Sequence, residues 1–136
     1  EKNYFSLPPV GSILPPTIPL SIPVVLDGYW LVLVKPNDFI STREAYAAVT
    51  PRPSKVSLTD IISQPVKTWR GQMVNDFEAS VFPTHPVVSS ICDQLYMLGA
   101  SYAAMSGSGS TVYGLFRQQP VLGDVFSGCF LWQCKL

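Results

Sequence analysis

The order of patterns along the chain predicts an α+β fold: a mostly antiparallel four-stranded sheet with helices packed on one face. Three observations carry that expectation. The run GYWLVLVKP (28–36) is dense in β-branched and aromatic residues and stops at a proline, as a central strand does. Residues 40–99 then carry helix-start signals and a helical apolar period. After them, two strand-like runs (101–105 and 111–116) flank a glycine turn, and CFLWQCKL (129–136) reads as a closing strand.

The first 23 residues hold six prolines, which remove ladder donors and push their predecessors out of the helical region. An extended or looping segment is expected there, with a short strand near Leu20–Ile22. Such an opening suggests a chain that begins further upstream. ISTREAYAAV (40–49) is a helix with Ser41 as cap, Glu44 completing a capping box, and Ile40 and Ala45 at the staple positions. Pro51 and Pro53 end it. SLTDIISQ (57–64) predicts a short helix capped by Ser57 with Asp60 at its third position, followed by a connector holding Pro65, Trp69, Arg70 and Gly71. NDFEASVF (75–82) repeats the box with Asn75 and Glu78. THPVVSSICDQLYMLG (84–99) has the strongest helical period, through Val87/Val88, Ile91/Cys92, Leu95 and Leu98, and Gly99 is its left-handed stop. QPVLGDV (119–125) is too short and too broken for a helix.

The bulk composition narrows the function classes. One domain over residues 1–136 fits the length. Charged residues are only 13%, so part of the surface is expected to be covered by another domain or subunit. Nine basic residues balance nine acidic ones with no basic cluster, which excludes a nucleic-acid-binding face. No apolar run approaches the roughly 18–20 residues of a membrane span, and no leader pattern is seen. Three cysteines without a close pair read as reduced thiols of a cytoplasmic protein. A single histidine makes a His/Cys zinc site improbable.

The turn between the last hairpin strands, MSGSGSTVYGLF (105–116), raises two readings. It lacks the lysine of a nucleotide P-loop and precedes a strand rather than a helix. Gly107 and Gly109 then simply supply positive φ where antiparallel strands reverse. Alternatively, successive N–H groups and the Ser106, Ser108 and Ser110 hydroxyls form an anion nest, with small residues admitting a phosphate or another backbone. Asn75, Asp76 and Glu78 read as helix-start residues, and Asp76 and Glu78 stand too close in sequence to face each other as an acid/base pair. Lys35 reads as a solvated strand-end lysine, and His85 as a half-exposed residue in a helix's first turn. Tyr29, Trp30, Tyr102, Tyr113 and Trp132 read as sheet-packing aromatics, with base stacking as the minority alternative.

The same turn resembles the third sequence motif of the GHMP small-molecule kinases. LVLVKPNDFISTREAY (31–46) and NDFE (75–78), at matching spacing, are similar to segments of the branch that acts on 4-diphosphocytidyl-2-C-methyl-D-erythritol, ahead of the homoserine, mevalonate and phosphomevalonate branches. The resemblance spans nearly the whole chain and implies the family's carboxy-terminal domain, a fold related to the ferredoxin-like class. The phosphate loop Pro-x-x-x-Gly-Leu-Gly-Ser-Ser, the catalytic aspartate and the early lysine of the family's amino-terminal domain do not occur here. That kinase domain is therefore the expected partner, and the chain by itself is expected to be inactive. The segment 117–128 also departs from the family's helix between the last two strands.

The implied reaction is transfer of the ATP γ-phosphoryl, with Mg2+, to a tertiary hydroxyl of a small-molecule substrate. No catalytic residue is expected in this chain. Ser106, Gly107, Ser108, Gly109 and Ser110 are the expected nucleotide-contacting or loop-buttressing residues. Thr42, left over once Ser41 caps its helix, is the supporting candidate in the cleft. A noncatalytic interaction domain with an anion-binding turn is the different-class alternative.

Overall fold

The computed structural model describes residues 3–6, 21–51 and 56–136. A hairpin of β1 (Asn3–Ser6) and β2 (Ser21–Val24) comes first, paired antiparallel. The strand expected near Leu20–Ile22 is thus longer on its carboxy-terminal side; Leu20 itself lies outside the described residues, and its partner β1 was not anticipated. β3 (Trp30–Lys35) follows, then α1 (Thr42–Ala48), α2 (Leu58–Ile62), a 3-10 turn (Val66–Thr68), α3 (Glu78–Thr84) and α4 (Pro86–Met97). β4 (Tyr102–Met105), β5 (Val112–Phe116) and β6 (Phe130–Lys135) complete the chain.

The main sheet is four-stranded, in the order β4-β5-β3-β6, with every pair antiparallel. Its two faces bury different clusters because strand side chains alternate. Val32, Val34, Ala103, Met105, Val112 and Phe116 point to the face covered by α1, α3 and α4, where Val88, Ile91 and Leu95 supply the apolar stripe of α4. Gly114 of β5 admits that helix, since a Cβ there would stand 3.4 Å from Leu95. α4 ends as its sequence predicts. Gly99 has φ +105°, and the N–H groups of Gly99 and Ala100 donate to the carbonyls of Tyr96 and Leu95.

Tyr102, Ala104, Tyr113 and Leu115 face the opposite side, against Ile61 of α2, Val66 and Trp69. Trp69 is 1% exposed, its indole N–H donates to the Gln64 carbonyl at 3.0 Å, and its ring meets Tyr102 edge-on at 5.8 Å. The segment 117–128 contains no helix and is pinned by buried Leu122 and Phe126. β6 is an edge strand whose Phe130, Leu131 and Trp132 are exposed among the described residues. Sheet packing thus holds for Tyr102 and Tyr113, whereas Trp132 lies open. Three cysteines are free thiols, and burial pushes that of Cys92 up to about 12.

The expected helix boundary near residue 84 is displaced. α3 runs on through Pro83 to Thr84, and the break falls at His85, with φ −129° and ψ 70°. The residue before a proline is driven from the helical region, so Pro86 sets the joint and opens α4 as its first residue.

Candidate functional site

The Ser-Gly turn joins two buried strands, and its backbone is organised before any ligand is considered. Gly107 has φ +55° and Gly109 φ +91°, conformations that disfavour a side chain. The Ser106 N–H donates to the Thr111 carbonyl at 2.8 Å, and the Gly109 N–H donates to the Ser106 carbonyl at 3.0 Å. Two N–H groups expected to face phosphate are therefore consumed in closing the turn. Those of Gly107 and Ser108 make no backbone hydrogen bond among the described residues. Ser110 is buried, Ser108 is half-buried and Ser106 is exposed, so the three hydroxyls do not present one common surface.

The two glycines differ in what they serve. A Cβ on Gly109 would stand 2.8 Å from Ile40 Cδ1 and 2.8 Å from Met105 Sδ, whereas one on Gly107 would meet nothing within 4 Å. Gly109 is thus a close-packing residue, and Gly107 leaves open space where an anion or another backbone can approach. Because Ile40 immediately precedes the Ser41 cap, this contact sets the start of α1 against the turn. Ser41 Oγ accepts from the Glu44 N–H at 3.0 Å, as the sequence predicts. Thr42 is the exposed first residue of α1.

Asn75 and Glu78 depart from the expected reciprocal cap. α3 begins at Glu78 behind Phe77, with no side-chain cap. Asn75 Nδ2 instead donates to the carbonyls of Met105 and Gly107, both at 2.8 Å, while its Oδ1 accepts from the Phe77 N–H at 3.0 Å. Glu78 Oε1 accepts from the Met105 N–H at 2.9 Å. Both side chains therefore strap the loop before α3 to the outer edge of β4 and to the turn itself. Burial raises the Glu78 pKa above its ordinary value, and the Met105 N–H partly offsets this. A spacing of three is equally consistent with a cap, so local sequence holds no signal for a strap to a partner 30 residues on.

His85 also departs from expectation. Its side chain is only 14% exposed, and its ring lies between the carboxylates of Asp38 and Glu44. Glu44 therefore serves this pair rather than the second half of a capping box. Lys35, at the exposed end of β3, points to no acidic partner among the described ion pairs. Nor do three His, Cys, Asp or Glu side chains converge on a metal-holding point among the described residues. The Gly107 and Ser108 N–H groups, which make no backbone hydrogen bond among the described residues, are donors of the kind a phosphate oxygen accepts from, whereas N–H groups supply no ligand to Mg2+.

The family described as the GHMP kinases C terminal matches residues 64–125, a span that includes α3, α4, the Asn75–Glu78 strap and the whole turn. A 4-diphosphocytidyl-2-C-methyl-D-erythritol kinase of Parabacteroides distasonis is 54% identical over 113 residues, covering 82% of this chain and 42% of the relative. The chain belongs to the GHMP kinases C-terminal family. A kinase of the same name from Bacteroides thetaiotaomicron is 48% identical over 115 residues, covering 85% of this chain and 40% of the relative. The chain thus spans less than half the length of these curated relatives. Among solved structures, a 4-(cytidine 5'-diphospho)-2C-methyl-D-erythritol kinase superposes with a TM-score of 0.55 at 26% identity, covering 70% of this chain and 36% of its own. A homoserine kinase from Cytophaga hutchinsonii shares the fold, with a TM-score of 0.55 at 16% identity over 85% of this chain and 45% of its own.

Proposed function

We propose that this chain is the carboxy-terminal part of a cytoplasmic ATP-dependent kinase that phosphorylates the hydroxyl of 4-diphosphocytidyl-2-C-methyl-D-erythritol, in the non-mevalonate route to isoprenoid precursors. One observation supports this reading above the others: 54% identity over 113 residues with a relative bearing that name. An amino-terminal kinase domain is the partner that would supply the main phosphate loop, the base and the Mg2+ site. ATP supplies the transferred phosphoryl group. This chain's own contribution is a wall of the cleft. The Gly107 and Ser108 N–H groups donate to phosphate oxygen or to the neighbouring phosphate loop, without reorganising during the reaction. Thr42 presents its hydroxyl from the adjacent start of α1.

The test is phosphoryl transfer by the intact protein with ATP and Mg2+, comparing 4-diphosphocytidyl-2-C-methyl-D-erythritol with homoserine and mevalonate. Turnover confined to the cytidine-bearing alcohol is the expected result. Preference for homoserine would move the chain to another branch of the GHMP kinases. A folded protein that transfers to none of them would leave a noncatalytic binding domain as the better reading.

A further inference from the structure

The His85 ring occupies a position that only its protonated form satisfies. Nδ1 lies 3.1 Å from Asp38 Oδ2, and Nε2 lies 3.1 Å from Glu44 Oε1. Ionised carboxylates only accept hydrogen bonds, and a neutral imidazole carries one N–H. Both contacts can be hydrogen bonds only when both ring nitrogens donate. The charged groups acting on the ring are these two carboxylates, Asp38 from the loop between β3 and α1 and Glu44 from the first turn of α1. The hydrogen bond to Glu44 raises the pKa most, burial lowers it, and Asp38 raises it further.

The placement of the two carboxylates gives the contact a purpose. Asp38 precedes and Glu44 follows the segment Ile40–Ser41–Thr42, so one ring grips that segment from both sides. Within it, Ile40 packs where Gly109 lacks a side chain. On its own side His85 is the joint between α3 and α4, and α3 opens with Glu78, bonded beside the turn.

We propose that His85, as an imidazolium, is a positioning residue that staples the Asp38–Glu44 segment to the α3–α4 joint and thereby holds Thr42 and the Ser106–Ser110 turn in register. Its catalytic consequence rests on the kinase reading; the staple itself does not. Loss of the ring proton leaves a nitrogen lone pair against one carboxylate and releases one side of the segment.

The experiment follows the ring nitrogen signals in the intact protein, with His85 assigned as the signal absent from His85→Gln. A midpoint above 6.5 is expected, with both nitrogens protonated below it. The double variant Asp38→Asn/Glu44→Gln, which replaces side chains 29% and 52% exposed, should lower that midpoint by about one unit. Amides of Ile40–Ala48 should exchange faster above the midpoint, and kcat should fall over the same range. Loss of His85 should lower kcat by roughly 10- to 100-fold, as a displaced catalytic wall does. The double variant should shift the kcat limb together with the ring titration, and it carries the test should His85→Gln fail to fold.

A midpoint at or below 6.5, or one indifferent to both carboxylates, overturns the staple. A raised midpoint with flat amide exchange overturns the positioning role. Absence of phosphoryl transfer by the folded wild type overturns the kinase reading, and the titration and exchange still decide the staple.

Discussion

Gly107 and Gly109 share a motif but differ in what surrounds them, and substitution should separate them. Alanine at Gly107 meets open space and bears mainly the left-handed backbone strain, about 1–2 kcal/mol. Alanine at Gly109 adds overlap with Ile40 and Met105, a further roughly 1–3 kcal/mol. Denaturant midpoints should therefore rank wild type above Gly107→Ala, and Gly107→Ala well above Gly109→Ala. If the turn approaches phosphate, Gly107→Ala should lower phosphoryl transfer at temperatures where the protein remains fully folded. Loss of rate in step with loss of fold would assign the turn a structural role alone. Glu78 gives a second contrast at this scale. Glu78→Ala strands the Met105 N–H and should cost about 1–3 kcal/mol, whereas Glu78→Gln keeps an acceptor and sheds the buried charge. Thermal melting at neutral pH should place Glu78→Gln at or above wild type and Glu78→Ala below it.

The loop before α3 shows which parts of an element can be read locally. Ser41 and Ser57 cap their helices as their spacing predicts, because a cap needs only the next three residues. The strands 28–36, 101–105, 111–116 and 129–136 were legible for a similar reason: their apolar and β-branched runs are self-contained. Asn75 and Glu78 carry the same local pattern as a cap but act on Met105 and Gly107 across the fold. No window centred on residue 75 contains that information. The glycine turn was visible as a motif, yet its internal hydrogen bonds, which remove the Ser106 and Gly109 donors, appear only in three dimensions. The joint at His85 was legible in principle, since Pro86 marks it. Asn75→Ala should lose two strap hydrogen bonds and cost about 1–3 kcal/mol. Asn75→Asp should be at least as damaging at neutral pH, because a carboxylate then faces two carbonyl oxygens, and acid should relieve it. A midpoint for Asn75→Asp equal to wild type would show that the strap contributes nothing.

For the molecule as a whole, two groups push stability towards mild acidity. Glu78 has a folded pKa above its ordinary 4.5, so the stability it confers is complete below 4.5 and is lost as pH rises through the raised value. His85 has a folded pKa above its ordinary 6.5, so its contribution is complete below 6.5 and disappears as pH rises through its own raised value. Both titrations have the same sign although one group is an acid and the other a base, because burial favours neutral Glu78 while two carboxylates favour charged His85. They also act on the same construction: Glu78 ties α3 to β4, and His85 ties the α3–α4 joint to the start of α1. The melting temperature should therefore rise as pH falls, first through the raised His85 value to 6.5 and then through the raised Glu78 value towards 4.5. His85→Gln should flatten the upper part of that rise and Glu78→Gln the lower part, each leaving the other intact. A melting temperature that falls over this interval in wild type, or two variants with the wild-type slope, would mean that neither group links the walls of the site to protonation.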